Sequence, residues 1–350
     1  MDNIKIKSYR MEYEVKFVQD FSEIANFIDD KIIIIDSNVL DIYKEFNNHE
    51  RTIVIEAKES NKDFLYCYEI IQKILDLDFK RGQVLCAIGG GIVQDIVGFV
   101  SSILFRGVDW VFVPTTLLSQ TDSCIGSKTS INVKNVKNLL GSFYPPNKIL
   151  SYTGFLESLN NKEIKSGIGE IYHYLVPNDL EAATEMSNLK CLNNKKLLMP
   201  FIKKSLSIKK EMIEIDEFDR RERIVFNYGH TFGHAIESMT KNEINHGMAV
   251  TLGMDIANYF SMQMGFIEKI DYNILKNILK DNFPKVKITN EFVDILMKDK
   301  KNKNINKLTC ILLKNKKEDF LSFPIEIDKE MVVKILQSYC DSKYCEFEQT

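Results

Sequence analysis

Gln83-Val-Leu-Cys-Ala-Ile88 runs directly into Gly89-Gly90-Gly91, a helical pattern follows from about Val93 to Leu104, and Trp110-Val-Phe-Val113 comes next. Strand, glycine turn, helix and strand in that order are the parts of a crossover unit in an open parallel sheet. Glycines at such a junction let the backbone approach a pyrophosphate, and the helix N-terminus offers free N–H groups and a positive dipole end. The run lacks the dispersed spacing of the usual dinucleotide fingerprint, so a simple tight turn explains it as well. Working outward, Lys31-Ile-Ile-Ile-Ile-Asp36 and Thr52-Ile-Val-Ile-Glu56 read as two more buried strands. Asp63 to Leu77 reads as a helix with Phe64, Cys67, Ile70, Ile71 and Ile74 on one side. Residues 1–150 are therefore expected to form an α/β, parallel-sheet nucleotide-binding domain.

After Pro145-Pro146 the apolar residues recur at helical spacing, as in Leu197 to Ile215 and Ala249 to Met264. Residues 151–350 are expected to form a second, mostly helical domain, and a length of 350 residues accommodates two. Lys298-Asp-Lys-Lys-Asn-Lys303 reads as an exposed loop before a late strand at Leu308-Thr-Cys-Ile-Leu312. A hydrophobic fraction of 45% suits a folded core. A net charge of -3 with dispersed lysines argues against a nucleic-acid surface. Seven cysteines without a CxxC pair read as reduced thiols. Neither an apolar leader nor a run of roughly 18 apolar residues is present, so a cytoplasmic protein without membrane partners is expected.

Four of the five histidines fall between 173 and 246, and two lie in Asn227-Tyr-Gly-His230-Thr-Phe-Gly-His234-Ala-Ile-Glu237. On a helix His230 and His234 are one turn apart, a spacing that suits a divalent metal if a third ligand arrives from elsewhere. It equally suits histidines that bond to neighbouring carbonyls and pack. Glu170 lies upstream in Ser166-Gly-Ile-Gly-Glu170-Ile-Tyr-His173, and His246 lies downstream in Asn245-His246-Gly247. The segment from Val113 to Pro146 is dense in hydroxyls, with Asp122, Lys128, Asn132, Lys137 and Asn138 set among apolar residues. Those groups suit a phosphorylated polyol: lysines and amides for phosphate, a carboxylate for hydroxyls. Lys209-Lys-Glu-Met-Ile-Glu-Ile-Asp216-Glu217 and Arg223-Ile-Val-Phe-Asn227 also read, on spacing alone, as a solvated helix face.

In order, GGGIVQDIVGF (89–99), RGVDWVFVPTTLLSQTDS (106–123), KNLLGSFYPP (137–146), SGIGEI (166–171), RIVFNYGHTFGHAIE (223–237) and NHGMAV (245–250) resemble the sugar phosphate cyclase family. Within it the chain is most similar to the 3-dehydroquinate synthase branch, over roughly residues 30 to 312. The resemblance implies NAD in the first domain and one divalent metal, zinc or cobalt, in the second. It assigns the metal to Glu170, His230 and His246 and leaves His234 to the substrate, so His230 and His234 do not both ligate. It implies NAD contacts at Asp36, Glu59, Lys62, Gly89, Gly90, Gly91, Asp95, Thr115 and Thr116, with Lys137 nearby. It implies substrate contacts at Asp122, Lys128, Asn138, Lys209, Arg223, Asn227 and His234, and at Lys300 or Lys301. Arg106 matches an arginine that reaches a neighbouring subunit's site, so a homodimer is expected. The implied reaction turns 3-deoxy-D-arabino-heptulosonate 7-phosphate into 3-dehydroquinate: an alcohol is oxidised and later re-reduced, phosphate leaves by β-elimination, and an aldol addition closes a carbocycle.

Three positions depart from the family pattern. His173 stands where lysine is usual, Ser127 where glycine is common, and Met248 where an acid is common. An imidazole is shorter than a lysine stem and mostly neutral at pH 7; His173 is expected to bond a substrate hydroxyl or to act as an adventitious ligand. Arg223 and Asn227 favour a carboxylate-bearing substrate, whereas His173 and Met248 leave open a diverged cyclase of another sugar phosphate, like a 2-deoxy-scyllo-inosose synthase or a sedoheptulose 7-phosphate cyclase. NAD- and metal-dependent alcohol dehydrogenases share the two-domain plan and stand as the other alternative.

Overall fold

The computed structural model describes residues 3–134, 136–189, 194–289, 291–298, 304, 306–316 and 319–341. Its chain divides into a unit of Met1–Asn160 with Leu198–Phe218 and a unit of Asn161–Leu197 with Asp219–Thr350. In the first, β1 (Ile4–Lys7) and β2 (Glu12–Phe17) form a hairpin, followed by α1 (Phe21–Ile28), β3 (Ile32–Asp36), α2 (Ser37–Ile42) and β4 (Thr52–Ile55). Helix α3 (Phe64–Asp76), β5 (Leu85–Gly89), α4 (Gly91–Ile103) and β6 (Trp110–Pro114) come next. A second hairpin of β7 (Lys128–Val133) and β8 (Val136–Phe143) precedes β9 (Lys148–Ser151). Apart from that hairpin, these strands form one sheet in the order β1-β2-β9-β6-β5-β3-β4, antiparallel only between β1 and β2.

Ile32, Ile33, Ile34 and Ile35 are all buried, as a central parallel strand covered on both faces requires. Alternate residues Ile33, Ile35, Cys86, Ile88, Val111, Val113 and Leu150 share one face and pack with Ile24, Ile28 and Val39 from α1 and α2. Each aliphatic side chain so buried contributes about 2 kcal/mol. The sheet agrees with the expected α/β class, and two details differ. The glycine run is divided three ways: Gly89 ends β5, Gly90 is the N-cap, and Gly91 begins α4, two residues earlier than the periodicity placed it. The hydroxyl-rich segment, to which the sequence assigned no element, contains a turn at Ser119–Ser123 and the β7–β8 hairpin.

In the second unit α5 (Asn161–Asn178) and α6 (Leu180–Asn188) come first. The chain then returns to the first unit as α7 (Met199–Ile215), which packs on β1 and the Ser119–Ser123 turn. This differs from a single boundary near residue 150. Helices α8 (His230–Met239), α9 (His246–Gln263), α10 (Lys269–Leu279) and α11 (Glu291–Met297) complete the helical part. A hairpin of β10 (Lys307–Lys316) and β11 (Asp319–Asp328) and helix α12 (Lys329–Asp341) follow. Most of the lysine-rich tract, with Lys300 and Lys301, lies outside the described residues. Among the described residues no helix is long and apolar enough to cross a membrane.

Helix α9 is buried on all sides from Ala249 to Ser261 and packs against α5, α8, α10 and α12. It carries one fully buried acid, Asp255, whose Oδ2 accepts from Tyr339 Oη at 2.6 Å and Tyr272 Oη at 3.5 Å. Burial pushes its carboxyl up from 3.8 to about 6. The folded state therefore holds this proton more tightly than the unfolded chain. The resulting stabilisation is complete below about pH 4 and is lost as pH rises to about 6, a change of about 3 kcal/mol. Asp255→Asn keeps an acceptor for the tyrosines without the ionisation. In urea unfolding at pH 4.5 and pH 7, wild type is expected to lose about 2 kcal/mol of stability relative to the variant, since part of the effect is already lost at pH 4.5; parallel pH slopes would contradict it.

Candidate functional site

Glycines decide how closely the helices of the second unit meet. A Cβ built on Gly169 of α5 would lie 1.9 Å from the carbonyl oxygen of Gly247 on α9, and one built on Gly247 would lie 1.7 Å from that of Ser166. A Cβ on Gly233 of α8 would meet Val250 Cα at 2.9 Å, and one on Gly253 would meet the Gly229 carbonyl oxygen at 2.1 Å. Each contact sits beside a candidate site residue: Glu170 follows Gly169, His246 precedes Gly247, and His230 follows Gly229. Glu170 Oε1 lies 3.1 Å from His246 Nε2 and 3.6 Å from His230 Nε2. That oxygen is buried with no hydrogen-bond partner among the described residues. A buried carboxylate oxygen facing two imidazole nitrogens suits a divalent cation, and these three residues form a group able to hold one.

Each imidazole is oriented through its other nitrogen. The Tyr228 carbonyl accepts from His230 Nδ1 at 3.2 Å and from His173 Nδ1 at 2.9 Å. Glu237 Oε2 accepts from His246 Nδ1 at 3.0 Å. Burial, with the imidazoles of His173, His246 and His234 around it, holds His230 well below its ordinary range and therefore neutral, the form that ligates. Burial also opposes charge on His246, but Glu170 and Glu237 on its two sides outweigh it and hold that ring well above its ordinary range. A cation between Nε2 and Glu170 would replace that proton. His234 stacks on His246 at 5.6 Å and belongs, with Glu237 and His246, to a second group of ligand atoms. His173 joins neither group; it is 2% exposed, its ring 4.5 Å from that of His230. Arg223 is 7% exposed in the Glu222–Asn227 turn, where Asn227 Nδ2 donates to the Ile224 carbonyl at 2.9 Å.

In the first unit Asp36, Gly89 and Thr115 stand at the C-terminal ends of the adjacent parallel strands β3, β5 and β6, where ligands of doubly wound sheets bind. The Asp36 side chain caps α2 at Asn38 N, and Thr115 N donates to the Gly89 carbonyl at 2.9 Å. Thr116 Oγ1 lies 2.8 Å from Ser119 Oγ. The N-terminus of α4 has no side-chain cap, and a Cβ on Gly91 would meet only Ser123 Oγ, at 3.8 Å. Open space before uncapped N–H groups fits a phosphate. Lys62 Nζ lies 2.6 Å from Asp95 and donates to Asn138 Oδ1 at 2.7 Å. Asn132 joins Glu59 Oε1 at 2.8 Å to the Asn138 backbone N–H at 2.9 Å. Asn138, expected among substrate residues, is thus built into the same network as Glu59, Lys62 and Asp95.

Lys209, 4% exposed on α7, donates to Asp122 Oδ1 at 2.8 Å and to its carbonyl at 2.6 Å. Lys128 and Lys137 are exposed on the second hairpin, and Arg106 is exposed in a turn where it and Phe105 have φ of 68° and 48°. Ser127 has φ 64°, which accounts for the glycine common there in the family. Its hydroxyl donates to Glu217 Oε1 at 2.6 Å, an atom that also accepts from Ser8 Oγ at 2.6 Å. The sequence reading missed Glu217, Tyr228 and Glu237. Only Glu237 left a signal, an acid seven residues after His230 and three after His234, hence on their helix face.

The family model for the 3-dehydroquinate synthase N-terminal domain matches residues 52–166, and that for its C-terminal domain matches residues 167–302. A 3-dehydroquinate synthase of Clostridium tetani is 35% identical over 333 residues, covering 93% of this chain and 87% of that protein. The chain belongs to the 3-dehydroquinate synthase family. One of Thermodesulfovibrio yellowstonii is 38% identical over 259 residues, 71% of this chain and 72% of that protein. Among solved structures, a 2-deoxy-scyllo-inosose synthase complexed with carbaglucose-6-phosphate, NAD+ and Co2+ has TM-score 0.81 at 23% identity, covering 96% of this chain and 99% of that one. A 2-epi-5-epi-valiolone synthase from Streptomyces hygroscopicus subsp. jinggangensis with NAD+ and Zn2+ has TM-score 0.82 at 21% identity, covering 97% and 98%. At those identities the likeness is one of fold.

Gly169→Ala places its methyl against the α9 backbone, which has no flexible end to give way, so α5 must separate from α9. The expected result is a stability loss of about 3 kcal/mol by urea unfolding, with at least tenfold weaker zinc binding in chelator competition. Unchanged values of both would show that this helix contact does not set the site.

Proposed function

We propose that this family member is itself a 3-dehydroquinate synthase: a phosphorus–oxygen lyase that cyclises 3-deoxy-D-arabino-heptulosonate 7-phosphate to 3-dehydroquinate and inorganic phosphate. The observation that carries this reading is the buried Oε1 of Glu170 facing Nε2 of both His230 and His246, in a chain whose motifs follow the family order. Glu170, His230 and His246 hold one zinc or cobalt ion, and the first unit holds NAD at Asp36, Glu59, Lys62, the Gly89–Gly91 turn, Asp95, Thr115 and Thr116, with Lys137 beside it. When bound, the two groups supply Lewis acidity at a substrate alcohol and reversible hydride acceptance.

The chain's own residues do the rest. The first unit binds hydroxyls with the Asp122–Lys209 pair, whose buried ammonium is already fixed, and phosphate with Lys128 and Asn138. In the second unit Arg223 forks onto the substrate carboxylate, Asn227 and His234 bind beside it, and His173 acts through the Tyr228 carbonyl that it shares with His230. Fixed dipoles and charges around a reactive intermediate are the main catalytic contribution of such a site. Arg106, exposed on a strained turn, serves a second copy of the chain in a cytoplasmic homodimer. The buried His173 supports a second reading, in which the same chemistry is performed on a different sugar phosphate.

With NAD, zinc and the seven-carbon substrate, phosphate is expected to appear while absorbance at 340 nm shows no lasting NADH. Stoichiometric NADH without phosphate would instead identify an alcohol dehydrogenase. Arg223→Ala is expected to lower kcat/KM at least tenfold, since losing one member of a buried charge pair costs about 2–5 kcal/mol. Turnover of only a carboxylate-free sugar phosphate by wild type would favour the second reading.

A further inference from the structure

We propose that Glu237 is a positioning residue of the metal centre, acting through His246 rather than on the ion; this rests on the metal reading above. An imidazole has two nitrogens, and the group held by one sets which way the other points. Glu237 Oε2 accepts from His246 Nδ1 at 3.0 Å, and the Nε2 of the same ring lies 3.1 Å from Glu170 Oε1. His230 has the same polarity, with Nδ1 at 3.2 Å from the Tyr228 carbonyl and Nε2 at 3.6 Å from Glu170 Oε1. Both rings therefore present Nε2 to one point, each held from behind by an acceptor. Behind His230 that acceptor is backbone, and the Tyr228 side chain is itself anchored by its hydroxyl donating to Asn258 Oδ1 at 2.8 Å. Behind His246 it is a carboxylate, whose charge also makes the imidazole a stronger donor.

His234, Glu237 and His246 form a competing ligand group. A cation there would take Nδ1 of His246 and leave Glu170 without one. Glu170 is 2% exposed with Oε1 facing the two imidazole Nε2 atoms, whereas the Glu237 side chain is 19% exposed and already accepts from His246 Nδ1. An uncompensated carboxylate costs more the deeper it lies, so the cation goes to Glu170 and Glu237 stays behind the ring.

The full chain, stripped of metal by a chelator and titrated with zinc against a chromophoric competitor, tests this directly. Wild type and Glu237→Ala are both expected to bind one ion per chain, with Kd about 10–100-fold weaker in the variant. Glu237→Gln, whose amide oxygen still accepts from Nδ1, is expected to fall between them and serves if the alanine variant does not fold. Glu170→Gln is expected to lose the ion. Wild-type Kd in both Glu237 variants, with loss of the ion in Glu170→Gln, overturns the positioning role and leaves the metal reading standing. Full binding in Glu170→Gln with loss of the ion in both Glu237 variants overturns both and assigns the ion to His234, Glu237 and His246.

Discussion

Two imidazoles and a carboxylate from three helices reach one point only if the helix backbones touch, and glycine is the residue that allows it. Helices α5 and α9 meet at Gly169 and Gly247, and α8 meets α9 at Gly233 and Gly253, with no room for a Cβ at any of the four. Glu170 and His246 are the chain neighbours of the first pair. Their separation is thus set by main-chain contact rather than by the softer packing of long side chains. The same closeness buries the Glu170 carboxylate with Oε1 facing two imidazoles, an arrangement that is expensive alone and that a cation would offset.

The first unit reaches its geometry by a different route. Parallel strands must all point one way, so Asp36, Gly89 and Thr115, each at or just past a strand end, gather at one edge of the sheet. The second hairpin lends Asn132 and Asn138 to a network with Glu59, Lys62 and Asp95. Ser127, immediately before the hairpin, is held at positive φ and tied down by Glu217. Strained backbone of this kind persists only where surrounding bonds over-determine it.

The central strands were legible because four consecutive isoleucines have few other places to go, and the glycine turn because it follows such a strand. Strand β9, four residues between β2 and β6, is too short for periodicity to register. The hydroxyl-rich segment was given no element since its polarity has no period, though it pairs as a hairpin. Helix α7 was found as a helix, but its amphipathic pattern carried no label saying which unit it would cover.

At the candidate metal centre, spacing on one helix pointed to His230 with His234, while motif resemblance pointed to Glu170, His230 and His246. The folded chain brings the latter three together and sets His234 with Glu237 beside them. Residue type and local period, which the sequence carries by itself, were enough for the fold class, the glycine turn and the region where the candidate histidines lie. Which nitrogen of His246 faces Glu170, what lies behind it, and that Asn138 belongs with Lys62 depend on contacts between segments far apart in the chain. Those contacts follow from helix backbones meeting at glycines and from strand order, neither of which has a one-dimensional period to read.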